Sequence, residues 1–252
     1  MPSSKPSKKQ RLDVLLVERG MAETRARAQA LILAGKVFVG GKRSEKAGAQ
    51  VAADAAIELV GEAQRYVSRG GQKLEGALEE CGVSAAGKIC IDVGSSTGGF
   101  TDCLLQHGAA RVYAVDVTVG QMAWKLQRDA RVVRIERNAR NLKPADIPEP
   151  AALVTVDVSF ISAVKILPAV TKLAVPGADF LILVKPQFEL EKKDIGRGGI
   201  VRDPRLHDRA VERVAQAARE CGLAILDVRP SRLAGAEGNQ EFFLHARRQP
   251  LE

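Results

Sequence analysis

The chain has 252 residues, 46% of them hydrophobic and 27% charged, with a net charge of +8 and a pI near 9.5. This is the composition of a globular protein with one large domain, or a large and a small one, and its positive surplus favours an anionic partner. Four cysteines without CxxC spacing, three scattered histidines, a polar, basic start and no run approaching the ~18–20 apolar residues of a membrane span argue against a metal site, a disulfide framework, a secretory leader and a membrane anchor, leaving the cytoplasm as the expected location.

In chain order, residues 1–10 read as a disordered basic tail and residues 11–62 as a small module. "RLDVLLVERG" has helical spacing and stops at Gly20. "ETRARAQALILAG" starts a second helix at Thr24, a good N-cap, and ends at Gly35. "KVFVGG" and "AAIELV" read as strands. Residues 1–62 carry eleven basic side chains against seven acidic ones, so this quarter of the chain holds +4 of the total +8. Residues 63–71, with "RYVSRGG", read as a linker, and the larger domain follows over 72–248.

That domain alternates between helices and strands. A helix at 70–81 leads to strand "KICIDVG", helix 98–107, strand "RVYAVDV", a helix near 120–128 and strand "RVVRIE". Strand "ALVTVDV", helix 161–174, strand "DFLILVK", helix 203–221 and the strands "AILDVR" and "EFFLHAR" complete it. The alternation predicts an α/β, doubly wound, mostly parallel sheet, and the final strand pair predicts an antiparallel strand at one edge.

"IDVGSSTGGFTDCLL" runs from an apolar strand through a glycine-rich turn into a helix, the context of a nucleotide-type cofactor site. The glycines stand at 94, 98 and 99, so the spacing is not the G-x-G-x-x-G of dinucleotide sites. Asp92, two residues before Gly94, resembles instead the acid-x-G-x-G-x-G pattern of methyltransferases that use S-adenosylmethionine, with Ser96 replacing the middle glycine. The candidate cofactor-binding residues are Asp92, Gly94, Ser95, Ser96, Thr97 and Gly98, with Asp116 and Val117 closing the next strand. A carboxylate at 116 can accept from ribose hydroxyls, as it also would in an NAD site. The plain alternative is a tight turn in an α/β sheet.

Asp157 and Lys185 each close a strand, with one crossover helix between them. Such strands are usually neighbours, ~4.7–4.9 Å apart, so the two side chains should meet at the carboxyl edge, where open α/β sheets bind ligands. Either they form a structural ion pair, or Lys185 handles a proton. Methyl transfer to a sugar hydroxyl needs that proton removed, and burial together with nearby positive charge lowers a lysine pKa.

The motifs "YVSRGGQKLEGAL", "DVGSSTGGFTDCLL", "VYAVDVTVGQMAWKL", "VTVDVSFIS", "LVKPQFE" and "GNQEFFLH" together resemble the TlyA-type proteins. These are often labelled haemolysins but known as ribosomal RNA 2′-O-methyltransferases. The resemblance implies a Rossmann-like seven-stranded sheet of the FtsJ/RrmJ type behind an α+β S4-like RNA-binding domain. It implies S-adenosylmethionine as cofactor, ribosomal RNA or a ribosomal subunit as partner, and a ribose 2′-hydroxyl, of cytidine in the family, as methyl acceptor. It implies a catalytic tetrad of Lys73, Asp157, Lys185 and Glu241, of which Lys73 and Glu241 rest on the resemblance alone. In the S4-like module, Arg11, Arg25, Arg27, Lys36, Lys42 and Arg43 are the implied RNA contacts, mostly to phosphate. An assembly factor with a retired catalytic domain and a membrane-lytic protein are the alternatives from other classes.

Overall fold

The structure, a computed structural model, describes residues 9–250 apart from 23, 61–64 and 236–237. The chain divides into two units, the first made of residues 1–65 with Ala123–Lys125 and the second of the remainder.

The first unit opens with strand β1 (Lys9–Arg11), which pairs antiparallel with β4 (Gln50–Ala52). Lys9 and Gln10, assigned to the tail by the sequence reading, belong to this pairing; residues 1–8 lie outside the described residues. Helices α1 (Leu12–Glu18) and α2 (Arg25–Leu33) follow, and Thr24 caps α2 by accepting from the Arg27 N–H at 3.1 Å. Strands β2 (Val37–Val39), β3 (Lys42–Arg43) and β5 (Ile57–Leu59) form a three-stranded sheet in the order β3-β2-β5. Leu12, Leu16, Ala28, Ile32 and Val37 make up its small core. Strands β2 and β5 are the two expected from "KVFVGG" and "AAIELV", whereas β1, β3 and β4, of two or three residues, escaped the sequence reading because they are too short to show alternation.

The second unit begins with α3 (Arg69–Glu80). It starts one residue ahead of the helix expected from 70, so that Arg69, read from the sequence as linker, opens its first turn together with Gly70 and Gly71, where the expected linker and helix overlapped. Strands β6 (Ile89–Val93), β7 (Arg111–Asp116), β8 (Val132–Glu136), β9 (Ala151–Val156), β10 (Ala174–Val184), β11 (Leu223–Pro230) and β12 (Phe242–Arg248) form one sheet in the order β11-β12-β10-β9-β6-β7-β8. Every pairing is parallel except those of β12, which runs antiparallel between β10 and β11. Helix α4 (Gly99–Gln106) follows β6, and α8 (Pro204–Glu220) precedes β11. From β6 the chain winds outward through β7 and β8, then returns to β9 on the other side, so the switch point lies between β6 and β9.

Residues Leu181–Val184 are at most 1% exposed, which suits a central parallel strand packed on both faces. Each such side chain contributes ~1.5–3 kcal/mol of transfer free energy. The helix expected over 161–174 is broken instead. Ser162 caps a 3-10 turn at Ala163–Lys165, α6 covers only Leu167–Val170, and a second 3-10 turn ends at Leu173. Pro168, which lacks an N–H, lies in the first turn of α6 and prevents a continuous ladder through that point. Strand β10 also starts earlier than expected, at Ala174, with a register irregularity before Asp179. The helix expected near 120–128 is a 3-10 turn at Val119–Gln121 and the short α5 (Trp124–Gln127).

Candidate active site

At the switch point the chain leaves β6 through Gly94, whose φ is +88°. A Cβ there would stand 2.2 Å from the Asp157 carbonyl oxygen, so only glycine lets the loop pass this close to the end of β9. Ser96 takes up a left-handed φ of +47°. Its N–H donates to Asp116 Oδ2 at 2.9 Å, while the Thr118 N–H donates to Oδ1 at 3.0 Å. Thus Ser96 adopts the conformation usually left to glycine, and Asp116 fixes it there. Each oxygen of Asp116 retains acceptor capacity for a further donor.

Above this loop is a cleft of about 260 Å³. Of the sequence-predicted residues, Lys73, Gly94, Ser95, Ser96, Thr97 and Asp157 line it, joined by Ser68, Arg69 and Gly70 from the start of α3. Gly98 adopts φ +96° at the head of α4 and packs against Leu126. Val117 is 63% exposed beyond the end of β7. Asp92 is not at the cleft surface. It is fully buried beneath the loop, where Thr101 Oγ1 donates to it at 2.6 Å and Thr155 Oγ1 approaches at 3.3 Å. Burial, the largest cause, pushes its carboxyl up to about 7.

At the rim, Lys185 follows the last residue of β10 and Asp157 the last residue of β9. The Lys185 ammonium lies 2.6 Å from Asp157 Oδ1, with side-chain exposures of 11% and 21%. The approach is off the hydrogen-bond axis and leaves Oδ1 without a directed partner; Nζ donates instead to Ser159 Oγ at 2.9 Å. A second pair stands alongside. Lys73 Nζ, from α3, donates to Glu241 Oε2 at 2.6 Å, with exposures of 12% and 3%. Glu241 is set just ahead of β12, and the loop at Gly235 passes so close that a Cβ would meet Oε1 at 2.2 Å. The four titratable groups therefore form two nearly buried lysine–carboxylate pairs, with Lys73 and Asp157 both facing the cleft.

Sequence reasoning missed three neighbours. Ser159 accepts the Lys185 donation. Phe160 has φ +64° and is 92% exposed, with its ring 5.4 Å from that of Phe188. Glu189, the last residue of α7 (Pro186–Glu189), is buried and takes the Ser162 hydroxyl at 2.5 Å and the Ala163 N–H at 2.7 Å. Burial, the largest cause, pushes its carboxyl up. These contacts lace the loop after β9 to the turn after β10. The available signal was an aromatic flanked by two serines directly after a strand-closing acid, in "DVSFIS".

The first unit presents Arg27, Lys36, Lys42 and Arg43 as exposed side chains, the guanidinium of Arg43 lying over Gly35. Arg11 and Arg25 are half-exposed and both bond to the carboxylate of Asp13. Among the described residues no three metal-ligating side chains gather, and no helix is long and apolar enough to cross a membrane.

These features define a two-part enzyme: the chain belongs to the FtsJ-like methyltransferase family, which matches residues 66–248, and an S4 domain matches residues 10–57. Its likeness extends to particular proteins. It is 51% identical to Bacillus subtilis YqxC over 95% of this chain and 86% of that one. It is 46% identical to the Mycobacterium tuberculosis 16S/23S rRNA (cytidine-2′-O)-methyltransferase TlyA, over 96% of this chain and 91% of that one. A solved Streptococcus thermophilus structure, 42% identical, superposes with a TM-score of 0.74 and covers 96% of this chain and 89% of that one.

Proposed function

We propose that the protein transfers a methyl group from S-adenosylmethionine to the 2′-hydroxyl of a cytidine in ribosomal RNA. The observation that carries this reading is the Lys185–Asp157 pair, 2.6 Å apart at the rim of a glycine-walled cleft. The relative named for cytidine 2′-O-methylation supports the substrate.

The cleft suits the cofactor. Ser95 is 4% exposed and lines it, yet its Oγ has no hydrogen-bond partner among the described residues, as expected of a polar atom that waits for a ligand. Gly94 to Thr97 would hold the cofactor through backbone and hydroxyl groups, with the outer lone pairs of Asp116 on its ribose. Once bound, the cofactor supplies an electrophilic methyl group on a sulfonium.

Asp157 and Ser159 orient the Lys185 amine, which accepts or directs the proton leaving the substrate hydroxyl. Glu241 holds Lys73 beside this pair. Phe160, on the loop that carries Asp157 and Ser159, offers an exposed ring suited to stacking on an unstacked base, and such contacts contribute ~1–3 kcal/mol per base. A target base turned out of its helix would present its ribose to the rim. The exposed basic side chains of the first unit grip RNA phosphates. Most of the acceleration comes from positioning, which can supply ~7–11 kcal/mol.

Lys185→Ala should lose methyl transfer by about three orders of magnitude or more, read as labelled methyl incorporated into rRNA, while calorimetry shows cofactor affinity within a few-fold of wild type. Transfer at the wild-type rate would falsify this mechanism.

A further inference from the structure

Among the described residues of the first unit, Asp13 is the one carboxylate with 0% exposure, and it lies in the unit counted on to grip RNA. It does not cap its own helix. Its N–H donates to the Ala47 carbonyl, and both carboxylate oxygens are committed to side chains. Arg11 engages it with a fork, Nε to Oδ1 at 3.0 Å and a terminal nitrogen to Oδ2 at 2.9 Å. Arg25 Nε donates to the same Oδ2 at 2.8 Å, and Gln29 Nε2 does so at 2.9 Å. The Arg11 guanidinium lies against Gly48, where a Cβ would come within 3.2 Å of it.

The two arginine side chains nonetheless remain 42% and 56% exposed. Arg25 engages Asp13 through Nε alone, and among the described residues its terminal nitrogens make no hydrogen bond. Two guanidiniums on one oxygen would repel each other without the anion between them, and each would otherwise sample many rotamers. The arrangement is that of a preformed cationic pair whose ordering cost is met before any ligand arrives.

We propose that Asp13 is a positioning residue for RNA: it holds the guanidiniums of Arg11 and Arg25 together at the surface as a two-pronged clamp for backbone phosphate. This rests on the reading that the first unit binds ribosomal RNA. The outcome it implies runs against simple charge counting. Asp13→Asn raises the net charge of +8 by one, which alone favours RNA. Loss of the ordered pair should nevertheless weaken binding.

The test measures affinity of the full-length protein for 23S rRNA across a salt series. Asp13→Asn should bind about tenfold more weakly, the cost of re-ordering two long side chains. Its slope of log affinity against log salt should be shallower by roughly 0.7–0.9 for each phosphate that the pair no longer neutralises. Glu45→Gln, an exposed site in the same unit with the same change of charge, should bind as tightly as wild type or more so. A merely structural role would lower the active fraction and leave the slope alone. Binding by Asp13→Asn as tight as that of Glu45→Gln, or weaker with an unchanged slope, overturns the inference. Should Asp13→Asn fail to fold, Arg25→Lys keeps the charge but removes the guanidinium that forms one prong of the clamp, and wild-type affinity in that variant overturns the inference equally. Wild-type protein without salt-dependent rRNA binding overturns the functional reading itself, whereas sound wild-type binding with an undiminished Asp13→Asn overturns only the clamp.

Discussion

Asp13 in the first unit and Asp92 in the second are both completely buried aspartates, yet they are driven in opposite directions. Asp13 sits among two guanidiniums and an amide, and its hydrogen bond from Arg11 is the largest cause holding its carboxyl well below the usual range. Asp92 meets the hydroxyls of Thr101 and Thr155 and the Thr101 backbone N–H, all formally neutral, and burial raises it to about 7. Depth alone therefore does not settle whether a carboxyl carries charge; the formal charge of its neighbours does. The same contrast separates the units. In the first, a buried anion keeps cations half-exposed. In the second, Lys73–Glu241 and Lys185–Asp157 withdraw both signs to a nearly dry rim.

Removing one partner at the rim gives the largest effect on stability. Glu241→Ala leaves Lys73, 12% exposed, without its carboxylate, and denaturant unfolding should show a drop of ~3–5 kcal/mol. A smaller effect, with a distinctive pH dependence, comes from Asp92. In the folded chain its carboxyl keeps a proton up to about pH 7, while in the unfolded chain it releases it near the ordinary value of 3.8. The folded state binds more protons in that window, so wild-type stability falls as pH rises through it. Asp92→Asn removes this dependence and should unfold later than wild type at pH 8 by on the order of 2–4 kcal/mol, with the gap closing towards pH 4. Asp13 supplies the opposite sign. Its stabilising contribution is present above the unfolded carboxyl pKa of ~3.9 and is lost as pH falls below it, so acid unfolding of wild type should steepen there and that of Asp13→Asn should not. If Asp13→Asn and Asp92→Asn showed the same pH dependence, the contrast between the two sites would be broken. The mildest substitution is Glu189→Gln, which keeps the shape but turns an amide donor towards the Ser162 hydroxyl or the Ala163 N–H. It should cost ~1–3 kcal/mol and loosen the loop carrying Ser159 and Phe160, lowering transfer several-fold with cofactor affinity unchanged.

Much of the second unit was legible because strands buried on both faces read as unbroken apolar runs, as in "LILV". The meeting of Asp157 and Lys185 followed from a single crossover between parallel neighbours. What stayed hidden is what folding joins across distance or breaks locally. Asp13 counted in the sequence as one acid among seven, because its bonds reach Arg25 and Gln29 on another helix, 12 and 16 positions away. Lys73 and Glu241, 168 positions apart, gave no local sign of pairing; resemblance alone pointed to them. The run 161–174 had helical spacing, but Pro168 broke the ladder.

The direction of one strand decides where the rim can be completed. Because β12 runs against β10, Phe242 at its start lies opposite Val184 at the end of β10, one step from Glu241 and Lys185. Had β12 run with its neighbours, its seven residues at ~3.3 Å each would have carried that glutamate about 20 Å away, to the far end of the sheet. A reversal at the penultimate position thus lets residues that finish strands and a residue that begins one share a single address, and trimming the segment before Phe242 would slide the carboxylate off Lys73 while leaving the rest of the ladder paired.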